Sequence, residues 1–551
     1  MFEKKARSLP VALGAAGLLL VGGGAAYWLF TQQGWIGSSL PVGVNVLPQE
    51  TLASISVSTN PNQWQELQEF GTSETQLAFQ RSLTDLQNRY LTRHGFNYEA
   101  DIQPWVGDEV TVAFLPMTQP PGLPAQQATV WVLPIENPAR ARQTLENPKF
   151  SQAGQPQRTY RGLTIQEIQG SPPYSATVID DRLVVMASTP EAMEQVIDTY
   201  RGSDSLAETP GYKRALDTIK AGQSFARVYV NLPAAAAMAI ANSGRSLSPE
   251  TSARIQETQG LGSTVVLESD GIRFKSISWL KPNSKRKLPV ENSAGNLAKR
   301  LPDSTLVMAS GDNFQEFWQQ YSQGSESQLV VPFNPQRFQA SVQSATGMNF
   351  EQDFVDWMDG EFALALLPTP GQPRGAGLVL LAQTGDRRSA ERSLQQLDEV
   401  MGRKFNLTVS QSKVGDQTLT TWKVPPGLPV ASHGWLDRNT AFLTVGAPVE
   451  SAIVPQPKTA LASAALFQAA TDSNLDANSG RFFVDMTRTQ TLLDSSPLLP
   501  KLPPSARMFT TAIRAIGVTT AVKSERSTRY DVVVELEKAG NSQADTSFMR
   551  Q

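Results

Sequence analysis

Two pairs of carboxylates, Asp101 with Glu109 and Asp353 with Glu361, are the residues whose type and spacing could do chemistry in this sequence. Paired carboxylates can share general acid and base roles, or supply the oxygens of a calcium site. They occur as two pairs because a whole stretch occurs twice. Asn97–Pro116 reads NYEADIQPWVGDEVTVAFLP, and Asn349–Pro368 reads NFEQDFVDWMDGEFALALLP, with no gap between the two copies' alignment. Asn97, Glu99, Asp101, Trp105, Glu109, Ala113, Leu115 and Pro116 recur as Asn349, Glu351, Asp353, Trp357, Glu361, Ala365, Leu367 and Pro368. A duplication preserves folding determinants at least as readily as active sites. The plainer reading is therefore that Asp101 and Asp353 cap a helical turn ending at the tryptophan, that Glu109 and Glu361 start an exposed strand end, and that Trp105 and Trp357 anchor a core.

The remaining inventory of reactive groups is small. There is no cysteine, which removes thiol nucleophiles, disulfides and cysteine-bound metals. The two histidines, His94 and His433, fall at unrelated positions of the repeat. No metalloprotease helix, phosphate-cradling loop, dinucleotide fingerprint or nucleophile elbow is present. Ser410-Gln411-Ser412-Lys413 matches the S-x-x-K pattern, but in a strand-to-turn context without its partner motifs. The sequence thus assigns no catalytic, cofactor-binding or metal-binding residue and implies no cofactor.

The elements that position these groups follow from length and periodicity. The 551 residues exceed one ordinary core. After the basic start at residues 1–10, Val11–Phe30 is free of charge and long enough to span a bilayer as a transmembrane helix. Tyr27 and Trp28 lie at its distal end. Residues 31–46 form a linker. Residues 47–280 and 301–538 read as two homologous repeats, with a polar joint at 281–300 and a polar tail at 539–551. Each repeat alternates period-2 strands, such as Val110–Leu115 and Phe362–Leu367, with amphipathic helices such as Pro190–Tyr200 and Arg387–Met401. The expected fold class is α+β: a transmembrane helix followed by two antiparallel-rich α+β repeats.

A net charge of −3 leaves no footprint for phosphate backbones, so nucleic acid is not an expected partner. The short basic run Lys285-Arg286-Lys287 reads as a solvated linker. The basic-plus-apolar start, the Leu47-Pro48 and Leu301-Pro302 openings, and the Trp–Gly/Asp–Glu block before an apolar strand resemble a cyanobacterial family of uncharacterised single-pass membrane proteins, catalogued as a domain of unknown function. The resemblance implies a body facing the periplasm or thylakoid lumen, with the N-terminus cytoplasmic. The expected function is a non-enzymatic binding or assembly module, with the membrane engaged through residues 11–30 and other envelope or thylakoid proteins as partners. The alternatives are an enzyme using the doubled carboxylates, or a carrier of hydrophobic ligands.

Overall fold

The computed structural model describes residues 40–538, apart from 91–96, 118–125, 147–155, 169–172, 244–248, 325–333, 474, 476 and 496–509. It corrects the expected fold class. In place of two α+β repeats, the described residues form twenty antiparallel strands with helices set against them. No described helix is long and apolar enough to cross a membrane. The apolar segment 11–30, His94 and the tail 539–551 lie outside the described residues. Strand content exceeds the sequence reading because several strands carry no alternating apolar signal. Thr408–Val414 (TVSQSKV) is mostly exposed, and Leu428–Trp435 (LPVASHGW) holds Pro, Gly and His. Only their neighbours make them strands.

The described residues divide into two compact units, the first within 40–269 with 273–287 and 538, the second within 270–272 and 288–537. In the first unit the strands are β1 (Ala53–Ser58), β2 (Glu109–Pro116), β3 (Gln127–Pro134), β4 (Gln157–Tyr160), β5 (Leu163–Ile168), β6 (Tyr174–Ile179), β7 (Leu183–Ala187), β8 (Ala226–Val230), β9 (Thr258–Glu268) and β10 (Gly271–Leu280). Their spatial order is β4-β5-β6-β7-β3-β2-β1-β8-β9-β10. One core joins β2, β3 and β7 to the helix Pro190–Tyr200 through Leu115, Val130, Val185, Met193 and Ile197. That helix starts where its sequence says it should. The Thr189 hydroxyl accepts from the Ala192 N–H, and Pro190 occupies the first turn, where no N–H is missed. Asn60-Pro61, Asn137-Pro138 and Asn334-Pro335 open helices by the same rule.

In the second unit the strands are β11 (Val307–Gly311), β12 (Phe362–Thr369), β13 (Gln372–Gln383), β14 (Thr408–Val414), β15 (Gln417–Val424), β16 (Leu428–Trp435), β17 (Thr440–Gly446), β18 (Gly480–Asp485), β19 (Ile513–Ser524) and β20 (Ser527–Leu536). Their order is β14-β15-β16-β17-β13-β12-β11-β18-β19-β20. Lowering each number by ten gives the order of the first unit.

The two faces of the second unit's sheet are unequal. One face holds the row Val379, Ala365, Met308, Phe483 and Val533, all buried. The opposite face carries two neighbouring rows. The first runs Val445, Leu378, Leu366, Val307, Val484, Ile516, Val534. The second runs Leu443, Leu380, Leu364, Ala309, Phe482, Val518, Val532. Every position in both rows is apolar, yet none is buried. Leu364, Leu378, Val445 and Phe482 are 40%, 44%, 48% and 37% exposed. The corresponding first-unit positions Val112, Thr129, Ser188 and Val228 are half-buried instead, and two of them are polar.

Candidate functional site

The doubled block folds twice into the same local device. The Asn97 side chain accepts from the Ala100 N–H, while Asp101 Oδ2 accepts from the Asn97 N–H at 2.7 Å. The Trp105 indole N–H then donates to the Asp101 carbonyl at 2.8 Å. In the second copy Asn349 caps Glu351 and Gln352, Asp353 Oδ2 accepts from the Asn349 N–H at 2.7 Å, and the Trp357 indole donates to the Asp353 carbonyl at 3.0 Å. The N-cap is thus the asparagine, and the aspartate closes the cap from four residues on. This is a reciprocal arrangement that satisfies the free N–H groups of a short turn. The tryptophans are the anchors the sequence reading expected, at 2% and 5% exposure.

Glu109 and Glu361 begin or immediately precede β2 and β12, as expected, but they are not exposed strand ends. Their carboxylates hold the segments that enter each unit. Glu109 Oε1 accepts from Arg227 Nε at 3.0 Å, Oε2 pairs with Arg227 Nη2, and Oε2 also receives the Val42 N–H at 3.4 Å. The Thr111 hydroxyl donates to the Val42 carbonyl at 2.6 Å. Next to it, Gly43 has φ +78°, and a Cβ there would meet Val132 Cγ1 at 2.5 Å, so both backbone conformation and space require glycine.

In the second copy Glu361 is 4% exposed, and its Oε1 accepts the N–H groups of Gly295, Asn296 and Leu297 at 2.7, 2.8 and 3.1 Å. Arg481 occupies the β18 position that Arg227 has in β8. Burial pushes its pKa down and the Glu361 charge opposes this. Arg481 Nε and Glu361 Oε2 are both buried without a bonded partner, so the second copy keeps the charge pair near but trades its direct contact for backbone bonds. Asn296 and Leu297, so held, wall a polar cleft of about 320 Å³ that also presents Lys299, Arg300, Gln383 and Asp437. Arg300 closes on Asp437 at 2.6 Å.

The geometry therefore commits each aspartate to Asn97 or Asn349, and each glutamate to an arginine or to backbone. In neither unit are the aspartate and the glutamate bonded to one another. Among the described residues, no cluster of three or more His, Asp or Glu side chains could hold a metal ion. The S-x-x-K stretch lies inside β14, and Lys285-Arg286-Lys287 lies in a segment without helix or strand. His433 is buried, and its Nε2 lies 2.8 Å from Asp398 Oδ1, which also accepts the Trp422 indole N–H at 2.6 Å. That trio ties the helix Arg387–Lys404 to β15 and β16. Sequence reading missed Arg227, Arg481 and Asp398 as partners. The repeated strands Arg227–Val230 and Arg481–Val484 carried the signal for the two arginines. A helix residue bonded across to a polar strand left none.

Asp108, inside the same block, was also missed. Burial, then the charges of Glu136 and Glu109, raise its pKa from 3.8 to about 6. Its Oδ1 is buried without a bonded partner. A carboxyl whose folded pKa is raised favours the fold while protonated, so this contribution is full below pH 3.8 and is lost as pH rises through about 6. Asp108→Asn is expected to raise the first unit's melting temperature near neutral pH. The difference from the parent should vanish below pH 3.8. Equal melting of parent and variant at neutral pH would contradict the assignment.

With this geometry in place, the chain can be set among known proteins. It belongs to the family described as Protein of unknown function (DUF3352), whose model matches residues 12–536. No curated protein matches it. Among solved structures it is similar to crystal forms III and I of TP0453, each at 10% identity and TM-score 0.25, covering 46% of this chain and 84% of that one. Crystal form IV of TP0453 matches at 9% identity and TM-score 0.23, covering 44% and 82%.

Proposed function

We propose that this chain is a membrane-tethered, extracytoplasmic binding or assembly module without chemistry of its own, its body a tandem duplication. The observation that carries the reading is how the doubled carboxylates are spent. A general acid or base must reach a proton on substrate, whereas Glu109 and Glu361 are turned onto an arginine and onto entering backbone. The common strand order of the two units supports the duplication. Tethering is ascribed to the charge-free residues 11–30 and the basic start, with the N-terminus cytoplasmic and the body in a periplasm or thylakoid lumen, there engaging other envelope or thylakoid proteins. A cyanobacterial source fits the features that suggested this family.

Protease accessibility tests the proposal. In spheroplasts making the full chain, added protease should digest the body, and the undigested chain should resist alkaline carbonate extraction. Protection of the body from outside, or recovery of the chain as a soluble mature form, would overturn the tethered topology. Loss of a turnover activity in a folded Glu109→Gln chain would overturn the non-enzymatic half.

A further inference from the structure

We propose that the open apolar face of the second unit binds a long-chain fatty-acid anion, its hydrocarbon laid across the strands and its carboxylate at Arg514. The inference rests on the reading of this chain as a binding module and names one ligand for it.

The face is unusual for a surface in contact with water. Two adjacent rows cross seven strands without one polar side chain, and their most open members are Leu364, Leu378, Val445 and Phe482. Contiguous exposed apolar surface of this kind marks a binding site. The helix Met486–Ser495 packs against β13, β18 and β19 and buries Leu492, and Leu380 and Leu443 pack against the core around Trp357, yet Leu364, Leu378, Val445 and Phe482 stay exposed.

Three features select the occupant. The first is hydrogen bonding. A protein partner needs about one hydrogen bond per 100–200 Å² of interface. The side chains in these rows offer none, and the backbone beneath them is spent in sheet pairing. A hydrocarbon chain asks for none. The second is length. Seven strands at roughly 4.8 Å spacing make rows about 29 Å long. One acyl chain reaches about half of a roughly 30 Å bilayer core, so it fits along them. The third is charge. Arg488, in the first turn of the helix Met486–Ser495, and Arg514, at the start of β19, both act on the charge of Asp485. Arg488 reaches Asp485 at 3.5 Å and the Asp303 carbonyl at 3.2 Å. Arg514, beside Ile516 at the bulge that opens β19, has no ion pair or hydrogen bond among the described residues. The rim therefore has one positive charge left for a carboxylate.

The test titrates the full chain, held in an amphipathic polymer, with the fluorescent conjugated fatty acid cis-parinaric acid and separately with its uncharged methyl ester. Saturable binding of the acid, displaced by palmitate, is expected. Leu378→Glu and the milder, edge-placed Val445→Gln should each weaken it roughly tenfold or more while leaving the melting curve in place. Leu77→Glu, at an exposed leucine of the first unit, should change nothing. Arg514→Glu should weaken the acid and leave the ester unchanged. Absence of saturable binding, equal binding by the folded Val445→Gln chain, or self-association of the chain through this face in place of ligand uptake would each overturn the inference. The protease-accessibility result stands apart from all three, so the binding-module reading can survive their failure.

Discussion

Trp105→Ala is expected to destabilise the first unit by about 3–5 kcal/mol, the range for removing a large aromatic from a packed core. The indole is 2% exposed and packs with Tyr98, Ile102, Val110 and Leu133, and its N–H closes the turn on the Asp101 carbonyl. Truncation empties that space and leaves the carbonyl without its donor. A domain's whole stability is about 5–15 kcal/mol, so the first unit should melt well before the second. Calorimetry on the full chain would show two separated transitions where the parent's overlap or nearly so. Trp357→Ala should move the other transition, since Trp357 sits among Phe314, Phe354 and Phe362 and bonds the Asp353 carbonyl. A shift under about 1 kcal/mol in both variants would show that the tryptophans are not the anchors.

Glu361→Ala carries the second large effect. One buried oxygen accepts three backbone N–H groups, from Gly295, Asn296 and Leu297. Hydrogen bonds to a charged acceptor contribute about 1.5–3 kcal/mol each. Three bonds sharing one atom do not add fully. A loss of about 3–4 kcal/mol is expected on those grounds. Arg481 would also lose the charge that offsets its burial. Glu361→Gln keeps an acceptor oxygen and should cost less than half as much. Glu109→Ala removes the ion pair with Arg227, but both side chains keep some water contact at 15% and 14% exposure, so its cost should be smaller than that of Glu361→Ala. Urea melts of the three variants rank them. If Glu361→Ala proves neutral, the carboxylate does not hold the entering segment.

The sequence alone determined those features that depend on near neighbours along the chain. The cap-plus-proline starts at Asn60, Asn137 and Thr189 are local bonding rules, so their helices were legible, whereas the helix that Asn334 opens by the same rule was missed. The apolar alternation of Glu109–Pro116 and Phe362–Thr369 marked two strands, because a half-covered strand must repeat every second residue. The burial of Trp105 and Trp357 followed from their repetition beside those strands.

The tertiary structure decided whatever depends on residues far apart in the chain. Glu109 meets Arg227 and Glu361 meets Gly295 across long intervals of sequence, and no periodicity encodes those meetings. A glutamate at a strand end reads as exposed until the segment that covers it is seen. The strands Thr408–Val414 and Leu428–Trp435 exist because β15 pairs with both, despite their polar or broken patterns, and they helped turn the expected α+β architecture into a strand-dominated one. The open face has the same origin. Leu364 and Leu378 are apolar in any reading, but only strand order and register place them in adjoining rows that no other described element fully covers. Hydrophobic periodicity tells which side chains leave one face of a strand, and only the assembled sheet determines whether that face is closed over or left open to a ligand.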